Sequence, residues 1–130
     1  MKRKTALITG ATSGIGEACA RRFANGGYNL IITGRTADRL DTLKAEFEAL
    51  GVDVLALAFD VCDRESTRQA VASIPESFKP IDVLINNAGL ARGLEPEYEG
   101  SFQDWDEMID TNIKGLLNMT RLVVPEMVSL

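Results

Sequence analysis

The chain alternates short apolar runs with longer stretches in which apolar residues recur every three or four positions. The short runs predict strands and the longer stretches predict helices. Lys4 to Thr9 reads as a first strand whose Thr5-Ala6-Leu7-Ile8 run is almost wholly apolar, as a strand covered on both faces requires. A helix follows to about Asn25, with Thr12 or Ser13 placed to cap it, Ile15, Cys19, Phe23 and Ala24 at helical spacing, and Gly26-Gly27 to end it. Tyr28 to Thr33 is a second strand. Thr36 or Asp38 begins a second helix with Leu40, Leu43, Phe47 and Leu50 as its buried stripe, and Gly51 stops it. Val52 to Phe59 reads as strand three. Asp63 caps a third helix, with Ala70, Val71 and Ile74 inward and Pro75 beyond its end. Ile81 to Ile85 is strand four, and an acidic loop runs from Leu90 to Gly100. Ser101-Phe102-Gln103-Asp104 resembles a capping box and opens a long helix. Its inner face is expected to carry Trp105, Met108, Ile109, Asn112, Leu116 and Leu117, with Pro125 kinking or ending it.

Strands that alternate with helices at this spacing predict parallel β-α-β units. Right-handed crossovers then give an α/β fold, a three-layer doubly wound (Rossmann) parallel sheet with strand order 3-2-1-4. The order reverses between strands one and four. Ligands bind such sheets at that point, beyond the carboxyl ends of the strands.

Composition narrows the function. The 130 residues are 45% hydrophobic and 25% charged, an ordinary globular profile that fits one domain or part of one. No apolar run is long enough to span a bilayer, and Thr5 to Ile8 is too short for a signal-peptide core, so a cytoplasmic protein without membrane partners is expected. Cys19 and Cys62 fit no metal or redox spacing and read as free thiols. The chain has no histidine, which removes a Ser-His-Asp triad, a Cys-His pair and most zinc sites; no metal is expected. A net charge of −5 argues against nucleic-acid binding. That charge is uneven: up to Arg35, six basic residues face only Glu17, a balance of +5, and the rest carries −10. The positive part holds the glycine-rich turn, as an anionic ligand would favour.

That turn is Thr9-Gly10-Ala11-Thr12-Ser13-Gly14-Ile15-Gly16, between the first strand and the first helix. Its spacing is G-x-x-x-G-x-G. Strand, glycine turn and helix together present backbone N–H groups to a phosphate. Gly10 allows the chain to turn, Gly14 allows close approach to a ligand, and Gly16 allows the helix to pack on the sheet. Gly10, Ala11, Thr12, Ser13, Gly14 and Ile15 are therefore candidate cofactor contacts; the alternative is a glycine turn without a ligand. After strand two, dinucleotide folds that select NAD place an acidic residue that bonds the ribose 2′-hydroxyl. Here Arg35 and Thr36 stand there, a guanidinium and a hydroxyl suited to a 2′-phosphate, which predicts NADP. Asp60, at the end of strand three, can accept from an adenine amino group, with the Val61 backbone beside it. Asn86-Asn87-Ala88-Gly89 follows strand four. Its amides can tie that strand to the glycine turn, and Asn87, Ala88 and Gly89 can approach the cofactor ribose. Asn112 is an amide in a helical stripe expected to be buried, so it needs a partner: core bonding or a held water both satisfy it.

Thr9-Gly10-x-x-x-Gly14-Ile15-Gly16, Asp60-Val61, Asn86-Asn87-Ala88-Gly89 and Asn112 stand in the order and spacing of the short-chain dehydrogenase/reductase family, which the chain resembles over its whole length. The segments from Asn86 to Pro96, Asp104-Trp105, Met108 to Leu116 and Met119-Thr120-Arg121 are similar to the NADP-dependent 3-hydroxy acid dehydrogenases, which act on serine and allo-threonine. The resemblance implies hydride transfer between a nicotinamide and a secondary alcohol or ketone, with Asn112 as a catalytic-tetrad member that holds a water. It also implies a homo-oligomer, dimer or tetramer, and a small hydroxy-acid or carbonyl substrate. The tetrad's Ser and Tyr-x-x-x-Lys have no counterpart: Tyr28 and Tyr98 are followed four residues later by Ile32 and Phe102. The 130 residues thus read as the N-terminal dinucleotide-binding part of a single domain, truncated after the fourth strand and its long helix. The piece alone is expected to be inactive and prone to self-association along its open strand edge. An inactive dinucleotide-binding fragment, or another reductase such as a 3-oxoacyl reductase, is the alternative.

Overall fold

The computed structural model describes residues 2–88 and 101–129. Elements follow in the order β1 (Thr5–Ile8), α1 (Gly14–Asn25), β2 (Asn29–Gly34), α2 (Ala37–Glu48), β3 (Val54–Ala58), α3 (Arg64–Ala72), a 3₁₀ turn (Glu76–Phe78), β4 (Val83–Ile85), α4 (Phe102–Ile109), a π-helical segment (Asp110–Gly115) and α5 (Leu116–Val128). The four strands are parallel and lie in the order β3-β2-β1-β4, as the sequence predicts. Leu7 pairs with Ile31 on one side and Leu84 on the other, so the central strand is bonded along both edges.

Successive strand residues point to opposite faces, which splits the apolar runs between two cores. Ala6, Ile8, Leu30 and Ile32 pack with Ala20, Ala24, Leu40, Leu43 and Phe47 from α1 and α2. Leu7 and Ile31 pack on the other face with Val61, Ile74, Met119 and Val123. Three layers result, with α1 and α2 on one side and α3 and α5 on the other. Among the described residues no helix is long and apolar enough to cross a membrane.

Helix faces depart from the expectation in three places. In α1 the buried residues are Gly16, Ala20 and Ala24, whereas Ile15 is 74% exposed. Leu50 falls just past α2 and is exposed. In the long helix Thr111, Gly115, Met119 and Val123 face inward, and Ile109, Asn112, Leu116 and Leu117 face outward. The inward residues keep a four-residue spacing through the π-helical segment, and the face they form carries small residues where the helix meets the third β-α connection. Pro125 lies inside α5 and does not end it. Two of the predicted side-chain caps are present: Asp63 accepts from the Ser66 N–H at 3.0 Å and Ser101 from the Asp104 N–H at 3.0 Å, whereas Ser13 and Thr36 occupy N-cap positions without a side-chain cap bond.

Candidate cofactor site

At the carboxyl ends of the strands a cavity of about 230 Å³ brings together residues from every β-α connection that the sequence singles out. Gly10, Thr12 and Ser13 come from the first, Arg35 and Thr36 from the second, Asp60 and Val61 from the third and Ala88 from the fourth. Thr111, adjacent to Asn112, completes one wall.

The turn after β1 is built on Gly10, whose φ of +63° favours glycine. A Cβ there would lie 2.8 Å from the Asn87 carbonyl oxygen. At Gly16 a Cβ would lie 2.1 Å from the Gly10 carbonyl oxygen, so this glycine lets α1 close onto the turn. At Gly14 no atom lies within 4 Å of an added Cβ, and the space beside this first residue of α1 is open. Ala11 is fully buried beneath the turn and its N–H donates to the Thr33 carbonyl at 3.0 Å. Ser13 occupies the N-cap position, but its hydroxyl donates back to the Gly10 carbonyl at 3.2 Å and leaves the helix N–H groups to other acceptors. An exposed helix N-terminus of this kind attracts anions.

Thr9 joins the two halves of the site. Its buried hydroxyl accepts from the N–H groups of Asn87 and Ala88, both at 2.9 Å, and the Asn87 side-chain amide donates to the Gly10 carbonyl at 3.1 Å. The predicted tie between β4 and the glycine turn is thus made by Asn87, whereas Asn86 donates to the Thr120 hydroxyl of α5 at 3.1 Å. Gly89 and the acidic loop, with Arg92, lie outside the described residues.

Arg35 and Thr36 are exposed at the cavity edge, immediately before α2. Across from them, the Asp60 carboxylate accepts from the Cys62 N–H at 2.9 Å, a local turn that fixes its direction. The Val61 carbonyl is turned inward, where it accepts from the Asn118 amide at 2.9 Å. Cys62 lies 3.3 Å from the Thr111 hydroxyl. Burial pushes its thiol pKa up, the Thr111 hydroxyl partly opposes this, and the Asp60 and Asp110 carboxylates add to the rise. Cys62 and Cys19 are both free thiols. Asn112 is exposed on the π-helical segment, not in a buried stripe. Asn118 escapes a motif reading; Thr9 and Thr111 stand inside sequence motifs, Thr9 at the head of the glycine turn and Thr111 beside Asn112, but the motifs assign no role to either.

The short chain dehydrogenase family model matches residues 4–129. The chain is 52% identical over 122 residues to the NADP-dependent 3-hydroxy acid dehydrogenase of Salmonella typhi, covering 94% of this chain and 48% of that protein. It is 49% identical over 124 residues to the serine 3-dehydrogenase of Agrobacterium fabrum, covering 95% of this chain and 49% of that one. A closed form of serine dehydrogenase complexed with NADP+ superposes with a TM-score of 0.89 at 47% identity, over 96% of this chain and 49% of the other. The chain therefore spans about half the length of the curated relatives it matches. With the glycine turn, the sheet order and the family match in agreement, the chain belongs to the short-chain dehydrogenases.

Proposed function

We propose that this chain is the NADP-holding part of an oxidoreductase that interconverts a secondary alcohol and a ketone, with a 3-hydroxy acid such as serine or allo-threonine as substrate. The carrying observation is one cavity that runs from the glycine turn to Arg35 and Thr36. The donor set suits a phosphorylated dinucleotide. The start of α1, beside the cavity-lining Thr12 and Ser13, offers N–H groups for a pyrophosphate, and Arg35 with Thr36 offers a guanidinium and a hydroxyl for the 2′-phosphate. Asp60 directs a carboxylate into the cavity where an adenine amino group can donate to it. Names of similar proteins support the cofactor and the substrate class, since the Salmonella relative is called NADP-dependent and two others are called serine dehydrogenases.

When bound, the nicotinamide supplies the hydride acceptor or donor. The protein's part is to bind and orient. Asn112, exposed on the π-helical segment next to the cavity-lining Thr111, holds a water at the proton-handling end. These residues contain no Tyr-x-x-x-Lys pair, so a preparation of the 130 residues alone is expected to bind NADP+ without oxidising serine. The exposed apolar face of Ile109, Ile113, Leu116 and Leu117 supports association with a second copy, which sedimentation velocity tests.

Replacing Arg35 with Asp tests the cofactor assignment. Titration calorimetry should show NADP+ binding weakened by more than about tenfold, with NAD+ binding little changed. Equal loss for both nucleotides overturns the 2′-phosphate role.

A further inference from the structure

Asn118 lies on α5, seven residues beyond Thr111 and outside the cavity. Its side-chain amide nevertheless reaches the cavity wall through one peptide group. The Asn118 Nδ2 donates to the Val61 carbonyl at 2.9 Å, and the N–H of that same peptide, on Cys62, donates to the Asp60 carboxylate at 2.9 Å. The 61–62 peptide is therefore held at both ends, by an amide from the helix and by the carboxylate that faces the cavity. Polarisation along such a chain strengthens each bond.

Two further contacts from the same helix face hold this segment. Gly115 packs against Val61 so closely that a Cβ would lie 2.6 Å from Val61 Cγ2, and Thr111 lies 3.3 Å from the Cys62 sulfur. Asp60 has no helix or strand of its own to orient it. The buried Thr67 hydroxyl donates to the Asp63 carbonyl at 2.8 Å and approaches the Val61 carbonyl at 3.4 Å, and the Asp63 N–H donates to the Asp60 carbonyl at 3.0 Å, so α3 braces the segment from its other side while Asn118 makes the shorter bond to the Val61 carbonyl.

We propose that Asn118 is a positioning residue that aims the Asp60 carboxylate at the cofactor's adenine amino group, acting through the 61–62 peptide. This rests on the dinucleotide reading above. Loss of the amide lets the peptide rotate and the Asp60 side chain turn with it. The protein would then still bind the phosphates but would read the adenine amino group less well.

The test compares NADP+ with deamino-NADP+, in which an oxo group replaces the adenine amino group, by titration calorimetry on the parent, Asn118→Leu and Asn118→Asp. Asn118→Asp keeps the size while replacing the donor with an acceptor, and it answers the question should the leucine variant fail to fold. The parent should prefer NADP+ by about tenfold, the worth of one hydrogen bond to a charged group. Both variants should reduce that preference to about twofold or less. Variants that lose affinity for both nucleotides in the same proportion, or a parent without preference, overturn the positioning role. A parent that binds neither nucleotide instead overturns the dinucleotide reading on which it rests.

Discussion

A methyl group added at Gly16 has nowhere to go. Its carbon would lie 2.1 Å from the Gly10 carbonyl oxygen and 2.5 Å from Asn87 Nδ2, inside the 3.0 Å that real Cβ atoms keep. The obstacle is backbone, and that backbone is held. Gly10 has the left-handed φ of +63°, and its carbonyl accepts from Asn87 at 3.1 Å and from the Ser13 hydroxyl at 3.2 Å. Overpacking of this kind costs about 1–3 kcal/mol. Displacing the Asn87 amide adds about 1 kcal/mol, and the better helix propensity of alanine returns up to about 1. Gly16→Ala should therefore lose about 1–4 kcal/mol, a large share of the roughly 5–15 kcal/mol that holds a domain folded. Gly14→Ala is the contrasting change, because no atom lies within 4 Å of its new Cβ. It should leave stability unchanged or raise it by less than about 1 kcal/mol, yet weaken NADP+ by tenfold or more, about 1.4 kcal/mol, if the pyrophosphate closes onto the backbone of the first turn of α1. Urea denaturation followed by circular dichroism measures the first effect, and titration calorimetry the second. A Gly16→Ala midpoint equal to the parent's refutes the packing argument, and parental NADP+ affinity in Gly14→Ala refutes the ligand role of that glycine.

Thr9→Val leaves the Ala88 N–H without its acceptor and the Asn87 N–H with the Ile85 carbonyl alone, at 3.1 Å; the urea midpoint should fall by the equivalent of about 1–3 kcal/mol, and Thr9→Ser should restore most of it. In a Cys19→Ser background, Cys62 should react with iodoacetamide more slowly at about pH 8 than a free model thiol, and Asp60→Asn should move the rate profile to lower pH, because that carboxylate helps to raise the thiol pKa. The folded-state pKa of Cys62 is raised above 9.0, so ionisation favours the unfolded chain: its contribution to stability is intact below that pH and is lost as pH climbs through the folded value, a trend absent in Cys62→Ser. Ser101→Ala removes the acceptor for the Asp104 N–H and should cost about 1 kcal/mol, read as a lower urea midpoint.

The sheet was legible because its strands read as continuous apolar runs, with the central β1 and β2 buried on both faces, and because short β-α connections leave few ways to order them. Asp63 and Ser101 were legible as caps because capping is local, with donor and acceptor three residues apart. The cavity followed from topology once the order 3-2-1-4 was fixed, since every β-α connection then ends at one edge. Long-range polar bonds were not legible. Asn86 and Asn87 are adjacent and identical in type, yet one bonds α5 and the other the glycine turn. Their alternating directions at the end of β4 decide this, and composition carries no trace of it. Asn118 was missed for the same reason, because its partner is 57 residues away.

The misread helix faces have a common physical cause. A pattern reading turns the largest apolar residues inward, yet the two helices that border the cavity bury their small ones. In α1 these are Gly16, Ala20 and Ala24, and in the long helix Thr111 and Gly115 precede Met119 and Val123. Both helices must approach backbone closely for the site to exist: Gly16 lies against the Gly10 carbonyl, and Gly115 against Val61. A leucine at either position would hold the helix several ångströms away, and the hydrogen bonds across the gap, Asn87 to Gly10 and Asn118 to Val61, would then be too long to form. Burial of apolar area drives the distant parts of these helices, but beside the cavity the distance from helix to backbone decides which face turns inward. The displaced large residues, Ile15 on α1 and Ile109, Ile113, Leu116 and Leu117 on the long helix, are left outside. A small-residue stripe at i, i+4 spacing beside a glycine turn is therefore the better sequence signal for the inward face at a nucleotide cavity, even where larger apolar residues form a stripe of their own.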